Sequence, residues 1–163
     1  MQIIIPMSGF GERFKRAGYK TPKPLIIVDG KPMIAHVINL FPGETDMIFV
    51  CNKEHMEDVE LKLEMTILKY CPTAKIIAIE PHKLGPVHAV LSAVDHIDLN
   101  KPTIINYCDF SCYWDWHKFK LTVREKGCSG AIPAYKGFHP HSLGNTNYAY
   151  IKEKDTWALD IQE

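Results

Sequence analysis

The residues best suited to chemistry in this sequence lie between Met7 and Leu25. An apolar run over residues 2–7 predicts a buried parallel strand, which ends in the glycine-rich turn Ser8-Gly9-Phe10-Gly11. Backbone N–H groups gathered in such a concave turn attract phosphate oxygens. A cluster of cations follows the turn closely: Arg13, Lys15, Arg16, Lys20 and Lys23. Guanidinium and ammonium groups beside open amides predict a site for a polyphosphate.

A glycine pair after a strand also has other interpretations. It opens dinucleotide-binding folds, but their third glycine, which lets a helix pack closely, is replaced here by Phe14. It also occurs in plain strand-to-loop turns that bind nothing. The second half of the stretch favours function, because Pro22 and Pro24 hold Lys23 on a stiff segment that a solvated lysine does not need.

A single carboxylate follows a later apolar strand. Residues 103–108 predict a continuous apolar strand, and Asp109 stands where it ends. Ligands of open α/β sheets gather outside the carboxyl ends of the strands, so Asp109 is a natural metal ligand. The alternative is a strand-end cap for the helix that follows.

A third candidate is the turn over residues 81–86, between a strand at 75–80 and an amphipathic helix at 87–97. This order places backbone amides at a helix start, where a ligand could be recognised by the main chain. The alternative is a tight connection without a ligand. His88 is expected on the helix surface.

The elements that must position these residues alternate between strand and helix. Further strands are predicted at residues 25–28, 46–51 and 129–135, and a hairpin pairs residues 147–152 with 156–163. Further helices are predicted at residues 32–40, 54–70 and 113–126. Such alternation indicates an α/β fold with a mainly parallel sheet.

Composition excludes several classes of protein. The chain has 163 residues, about one domain, and its 19 basic and 19 acidic residues balance, so no overall field draws it to nucleic acid or an anionic membrane. No apolar run approaches the roughly 20 residues of a membrane span, and no signal sequence precedes the first strand. Five cysteines without paired spacing fit reduced thiols better than disulfides or a metal-thiolate site. We expect a cytoplasmic protein, and the sequence leaves a homo-oligomer open.

Three motifs together carry a resemblance to a known family. They are Gly9-Phe10-Gly11-Glu12-Arg13, then Pro22-Lys23-Pro24-Leu25, then Gly30-Lys31-Pro32-Met33-Ile34. Their order and spacing resemble the N-terminal part of the sugar-phosphate nucleotidyltransferases. The resemblance implies a Rossmann-like (GT-A-like) three-layer αβα sandwich with a mainly parallel twisted sheet. It also implies transfer of NMP from a nucleoside triphosphate to a sugar 1-phosphate with Mg²⁺ as cofactor, for surface or capsular polysaccharide synthesis.

The resemblance assigns roles to residues that match the family's motifs. Arg13 and Lys23 would be catalytic, and Asp109 would bind Mg²⁺. The nucleotide would contact Met7, Ser8, Gly9, Phe10 and Gly11, with Glu80 and Gly85 near the base. Glu80 can accept but not donate a hydrogen bond, which suits the exocyclic amino group of cytosine or adenine. Ala149 and Glu163 would face the sugar phosphate.

The sequence departs from the family at two positions in the phosphate turn. Ser8 stands where glycine is frequent, and Glu12 stands where serine or threonine is usual. A carboxylate at this position repels a phosphate unless it points away or pairs with Arg13, Arg16 or a metal. Glu163 matches the glutamate of a Glu-Lys-Pro motif, so we expect one domain over residues 1–163 that lacks the family's C-terminal part.

Three alternatives remain open at this stage. A cytidylyltransferase for choline or a small phosphorylated alcohol shares the glycine-rich turn and the Pro-Lys segment. A nucleotide-binding domain without catalysis could keep the fold, and Glu12 favours it. A nucleotide-sugar-dependent glycosyltransferase is disfavoured, because Asp109-Phe110-Ser111 lacks the second carboxylate of an Asp-x-Asp pair.

Overall fold

Four parallel strands form the central sheet of the computed structural model, which describes residues 1–137 and 149–162. The strands are β1 (Gln2–Met7), β4 (Asp46–Asn52), β5 (Lys75–Ile79) and β6 (Thr103–Ile105), in the order β5-β4-β1-β6. β1 pairs with β4 from Gln2↔Asp46 to Met7↔Cys51 and with β6 on its other side, and β4 pairs with β5. The prediction of an α/β fold with a mainly parallel sheet is confirmed.

The two central strands are buried on both faces, as their unbroken apolar sequences require. All six residues of β1 are buried. On one face, Ile4, Ile48 and Val50 pack against Ala89 and Ala93. The residues that alternate with these along the two strands are also buried. Ile3, Ile5, Met47 and Phe49 are all at most 1% exposed. Burial of this kind stabilises a sheet by about 25 cal/mol for each Å² of apolar surface removed from water.

Six helices and two antiparallel ribbons complete the description. The helices are α1 (Glu12–Arg16), α2 (Met33–Ile38), α3 (Lys53–Glu57), α4 (Leu63–Tyr70), α5 (Gly85–Leu91) and α6 (Trp116–Lys126). The ribbons are β2 (Ile27–Val28) with β3 (Lys31–Pro32), and β7 (Tyr150–Lys154) with β8 (Trp157–Gln162). Short 3-10 turns lie at Lys23–Leu25, Val59–Leu61 and Val94–His96.

The continuous helix predicted over residues 54–70 is wrong. The structure has α3, a 3-10 turn and α4 there, with Lys62 in the left-handed region at φ 50°. The Asp58 carboxylate accepts a hydrogen bond from the Glu60 N–H at 3.0 Å, which starts the 3-10 turn. Val59, the first residue of this 3-10 turn, is 85% exposed.

The strand predicted over residues 129–135 is also wrong. No residue of that segment is assigned to a strand, and the segment after Ser129 is exposed. Pro133 has no N–H to give to a ladder, and β propensity alone does not make a strand without a neighbouring strand to pair with. The predicted helices at residues 32–40, 87–97 and 113–126 are each shorter in the structure. The predicted hairpin is confirmed as β7–β8, while Tyr148 and Glu163 lie outside the described residues.

The chain divides into two compact units, Met1–His117 and Lys118–Glu163. The first contains the sheet, and the second contains the β7–β8 hairpin. The division into units does not test the prediction that residues 1–163 form one domain, which stays a prediction. Over the described ranges, no helix combines the length and the apolar character that a membrane crossing requires.

Candidate active site

The carboxyl ends of the four parallel strands all lie at one edge of the sheet. β1, β4, β5 and β6 end there at Met7, Asn52, Ile79 and Ile105. The segments that follow carry most of the residues predicted from sequence: Ser8, Gly9, Phe10, Gly11, Arg13, Glu80, Gly85 and Asp109. A parallel sheet thus gathers distant parts of the chain at the edge where ligands of such folds bind.

The phosphate turn, residues 8–11, leads directly into α1. Gly11 has φ +64°, a left-handed conformation that glycine adopts without strain, and its carbonyl accepts the N–H groups of Phe14 at 2.9 Å and Lys15 at 3.0 Å. A pocket of about 430 Å³ opens beside the turn. Its lining residues are Gly11, Glu12, Arg13, Phe14, Arg16 and Lys23. Arg13 and Lys23, separated in sequence, therefore share one pocket.

Lys23 is held from several sides. Pro22 is extended at φ −56° and ψ 144°, and Lys23 begins a 3-10 turn in which the Leu25 N–H donates to the Pro22 carbonyl at 2.9 Å. Its Nζ lies 4.8 Å from the centroid of the Phe14 ring, a cation–π contact. The same Nζ donates to a carboxylate oxygen of Asp109. The stiff segment predicted from the prolines is therefore short and curved at the lysine, not extended.

Asp109 lies just beyond β6, and its side chain is 29% exposed. Mg²⁺ is commonly held by one or two carboxylates together with substrate phosphates, so this single carboxylate fits as one magnesium ligand. Within residues 1–137 and 149–162, no group of three or more His, Cys, Asp or Glu side chains could hold a metal on its own. Burial, and then the Asp109 charge, raises the pKa of the neighbouring Cys108 to about 12, so this thiol remains protonated at neutral pH.

Glu12 is paired in the structure. Its carboxylate lies 2.9 Å from Lys83 Nζ and 3.7 Å from Arg16 Nη2. The hydrogen bond from Lys83, and then the Lys83 and Arg16 charges, lower the pKa of Glu12 below its ordinary value. Of the alternatives left open from sequence, the pairing with Arg16 is present, but the shorter contact comes from Lys83, which has no signal in the local sequence.

Ser8 connects the phosphate turn with two other segments. The Asn52 side-chain amide donates to the Ser8 carbonyl at 3.3 Å, and Ser8 Oγ lies 3.4 Å from His82 Nε2. Sequence reasoning missed both partners. Asn52 gave a usable signal, since a polar residue at the end of an apolar strand is buried only when it is hydrogen-bonded.

The residues predicted near a base lie on the loop after β5. The Glu80 carboxylate lies 2.5 Å from Lys53 Nζ, and the Glu80 side chain is 77% exposed. Gly85 has φ +85° and opens α5. Glu80 is therefore an acceptor already paired with a neighbouring donor. The base-binding roles stay predictions.

The residues predicted to face a sugar phosphate are Ala149 and Glu163. Ala149 is exposed and directly precedes β7 in the second unit. Glu163 lies outside the described residues.

With this geometry in place, comparison with known proteins decides the family. The MobA-like NTP transferase domain matches residues 3–158. The chain belongs to the MobA-like NTP transferase family. The match extends over the phosphate turn, the Lys23 segment and Asp109, and it confirms the resemblance to nucleotidyltransferases.

The chain is also similar to curated proteins over part of their length. The bifunctional protein GlmU of Janthinobacterium sp. (strain Marseille) is 31% identical over 113 residues, 67% of this chain and 22% of that protein. The mannose-1-phosphate guanyltransferase of Saccharomyces cerevisiae is 26% identical over 150 residues, 88% of this chain and 40% of that protein. The chain thus aligns with a minor part of each relative.

A solved structure shares the fold. The crystal structure of the nucleoside-diphosphate-sugar pyrophosphorylase from Vibrio cholerae RC9 superposes with a TM-score of 0.69 at 18% identity, covering 99% of this chain and 66% of that one. At this identity the likeness establishes the architecture alone, and it confirms the predicted nucleotidyltransferase-like fold.

Proposed function

We propose that this NTP transferase domain transfers a nucleoside monophosphate from a nucleoside triphosphate to a sugar 1-phosphate, releasing pyrophosphate. The observation that carries the proposal is the convergence of Arg13, Lys23 and the phosphate turn on one pocket of about 430 Å³. Two cations and a glycine turn suit a triphosphate better than an uncharged ligand. Synthesis of nucleotide sugars for surface polysaccharide stays a prediction.

The chemistry needs little beyond alignment and charge neutralisation. A sugar 1-phosphate, with a second pKa near 6, is mostly ionised at neutral pH, so its oxygen attacks the α-phosphorus without a general base. Negative charge then grows on the leaving pyrophosphate. Arg13 and Lys23 would neutralise this charge, and the backbone amides of residues 8–11 would hold the phosphates in line.

Asp109 is the residue proposed to hold Mg²⁺. When bound, the ion neutralises phosphate charge and orients the triphosphate. In the ligand-free chain the Asp109 carboxylate is paired with Lys23, so its negative charge is balanced before any ion arrives. Binding of a magnesium–nucleotide complex would then let Lys23 exchange the carboxylate for a phosphate oxygen, because both partners are anionic.

Recognition of the base and of the sugar is assigned to the residues predicted for these roles from the sequence. Glu80 and Lys53 form an exposed pair at the strand edge that offers both an acceptor and a donor to a base, with Gly85 nearby in sequence. Ala149 and Glu163 are proposed for the sugar phosphate on the resemblance alone.

The deciding experiment measures binding and turnover together. Purified protein with Mg²⁺ is tested by calorimetry against the four nucleoside triphosphates, and pyrophosphate release is followed with a panel of sugar 1-phosphates, choline phosphate and glycerol phosphate. We expect one triphosphate to bind best and pyrophosphate release to depend on a sugar 1-phosphate. Release only with choline phosphate or glycerol phosphate would contradict the sugar substrate. Binding with no release over the whole panel would contradict the transferase itself.

A further inference from the structure

Ser8 is the point at which three segments of the sheet edge meet. It is 4% exposed, although it belongs to the phosphate turn, whose next residue Gly9 is exposed. Its carbonyl accepts from Asn52, the last residue of β4, and its hydroxyl contacts His82 after β5. Asn52 is itself fully buried, and its other side-chain atom accepts the Glu54 N–H at 2.9 Å. The start of the turn is therefore fixed by the end of one neighbouring strand and by the loop that follows another.

The hydrogen bonds of His82 define which ring nitrogen carries the proton. The Leu84 N–H donates to His82 Nδ1 at 3.3 Å, so Nδ1 acts as an acceptor and bears no hydrogen. In the neutral ring the hydrogen is then on Nε2, which donates to Ser8 Oγ across 3.4 Å. The direction of the Ser8–His82 contact follows from the loop's own backbone.

This direction has a consequence for the serine hydroxyl. Because Ser8 Oγ accepts from His82, its own hydrogen remains available for donation to another group. Ser8 thus carries an O–H that its bond with His82 does not use, in addition to the backbone amides of the turn. A glycine, which is frequent at this position in the resembling family, offers no such donor.

Contacts of neighbouring side chains hold the loop against the turn at further points. The His82 ring packs edge-to-face on His88 of α5, with centroids 4.5 Å apart. Lys83 pairs with Glu12 at 2.9 Å and lies 5.8 Å from the centroid of the Phe10 ring. Two successive residues of one loop, His82 and Lys83, therefore contact Ser8 and Phe10 of the turn and Glu12 at the start of α1.

We infer that His82 is a positioning residue that orients the Ser8 hydroxyl as a hydrogen-bond donor to a phosphate oxygen of the bound nucleotide. The inference rests on the proposed function, since it needs a phosphate in the pocket. It assigns the serine side chain, and not only its amide, to nucleotide binding. It also makes the loop after β5 a support for the phosphate turn through Ser8.

The test compares Ser8→Ala, His82→Ala and the double variant by steady-state pyrophosphate release. Loss of one hydrogen bond predicts an increase in the KM for the triphosphate on the order of 3- to 10-fold, with kcat within about twofold of the parent. The double variant should be no worse than either single variant, because both remove the same donor arrangement. His96→Ala, an exposed histidine of the same unit, is the matched control and should leave KM unchanged.

Two conservative variants separate the two bonds of the ring. His82→Gln places an amide near the position of Nε2 and should restore a low KM, while His82→Asn keeps an acceptor for the Leu84 N–H but does not reach Ser8. Equal rescue by both variants, or strictly additive effects of Ser8→Ala and His82→Ala, would overturn the role given to the Ser8–His82 bond.

A second measurement needs no nucleotide. Amide hydrogen exchange at Gly9 and Phe10 in the ligand-free protein should be faster in His82→Ala by about 5-fold, and not in His96→Ala. Unchanged exchange and unchanged KM in an active enzyme would overturn this inference and leave the proposed function standing. Failure of the proposed function would instead be seen as an absence of triphosphate binding in the parent protein. That result would also exclude the role of the Ser8 hydroxyl.

Discussion

The Lys23 ammonium and the Asp109 carboxylate form an ion pair between two segments that lie 86 residues apart in the sequence. Both side chains are about two-thirds buried, at 31% and 29% exposed. Partial burial reduces the solvent screening between such charges. It joins the residue proposed to neutralise the leaving group to the residue proposed to hold the metal.

Replacement of the lysine tests the leaving-group role. We expect Lys23→Ala to lower the turnover number by on the order of 10²-fold or more, because a cation aimed at developing charge acts mainly in the transition state. The measurement is pyrophosphate release at saturating substrates, with thermal unfolding to show that the fold persists. Lys31→Ala, an exposed lysine on β3, is the control. A rate equal to that of the parent would exclude Lys23 from catalysis.

Replacement of the carboxylate tests the metal role. In the parent protein, chelation of Mg²⁺ should weaken triphosphate binding. The Asp109→Asn variant should bind the triphosphate weakly whether or not Mg²⁺ is present. We expect the Mg²⁺-dependent gain in affinity to fall about 10-fold or more, since an amide is a poorer ligand for a hard cation. Calorimetry with and without a chelator measures it.

The matched control for this experiment is Asp95→Asn, an exposed carboxylate on the 3-10 turn Val94–His96. It should retain the full response to Mg²⁺. An Asp109→Asn protein with the same response would show that the ion is held elsewhere.

The role of the Glu12–Lys83 pair can be tested by asking whether replacement of Glu12 removes the effect of replacing Lys83. Lys83→Ala leaves the Glu12 charge beside the pocket without its nearest partner, so the KM for the triphosphate should rise by about threefold at low salt and less at high salt. Glu12→Gln should abolish this effect in the Lys83→Ala background, because no carboxylate then needs shielding. If Lys83→Ala is equally harmful when Glu12 is already Gln, the lysine contacts phosphate directly instead.

Asp46 predicts a pH-dependent contribution to stability at the opposite edge of the sheet. Its carboxylate lies 2.8 Å from Lys101 Nζ and 3.7 Å from Lys75 Nζ. The Lys101 hydrogen bond, and then the Lys101 and Lys75 charges, lower the pKa of Asp46 in the folded state. A lowered folded-state pKa stabilises the fold above the unfolded-state pKa, near 4, and this stabilisation is lost as pH falls through the folded-state value.

Asp46→Asn should therefore lower the free energy of unfolding at pH 7 by about 0.5–1 kcal/mol, a modest value because the side chain is still partly solvated. Urea titrations at pH 7 and near pH 3 measure the difference between variant and parent, which should shrink at the lower pH. Asp95→Asn serves as the control and should show no such trend. A difference that is constant with pH would exclude the ion pair as its source.

Elements with strong local signals were predicted well. β1 and β4 are unbroken apolar runs, and burial on both faces of a parallel sheet is the main environment that suits them. The helix over residues 54–70 failed because its apolar spacing is also compatible with two shorter helices separated by a left-handed Lys62. The strand over residues 129–135 failed because a strand needs a partner, which no local pattern supplies.

The sequence by itself determined the parallel sheet, the glycine turn and the proline-braced lysine, because each depends on backbone preferences and apolar patterns within a few residues. Only the tertiary structure decided which side chains meet at the sheet edge. Lys23 with Asp109, Lys83 with Glu12, and Ser8 with Asn52 and His82 are contacts between segments far apart in sequence. The physical reason is that pairing of parallel strands aligns their carboxyl ends, and side chains from separate loops then come within hydrogen-bond distance with no trace in local sequence.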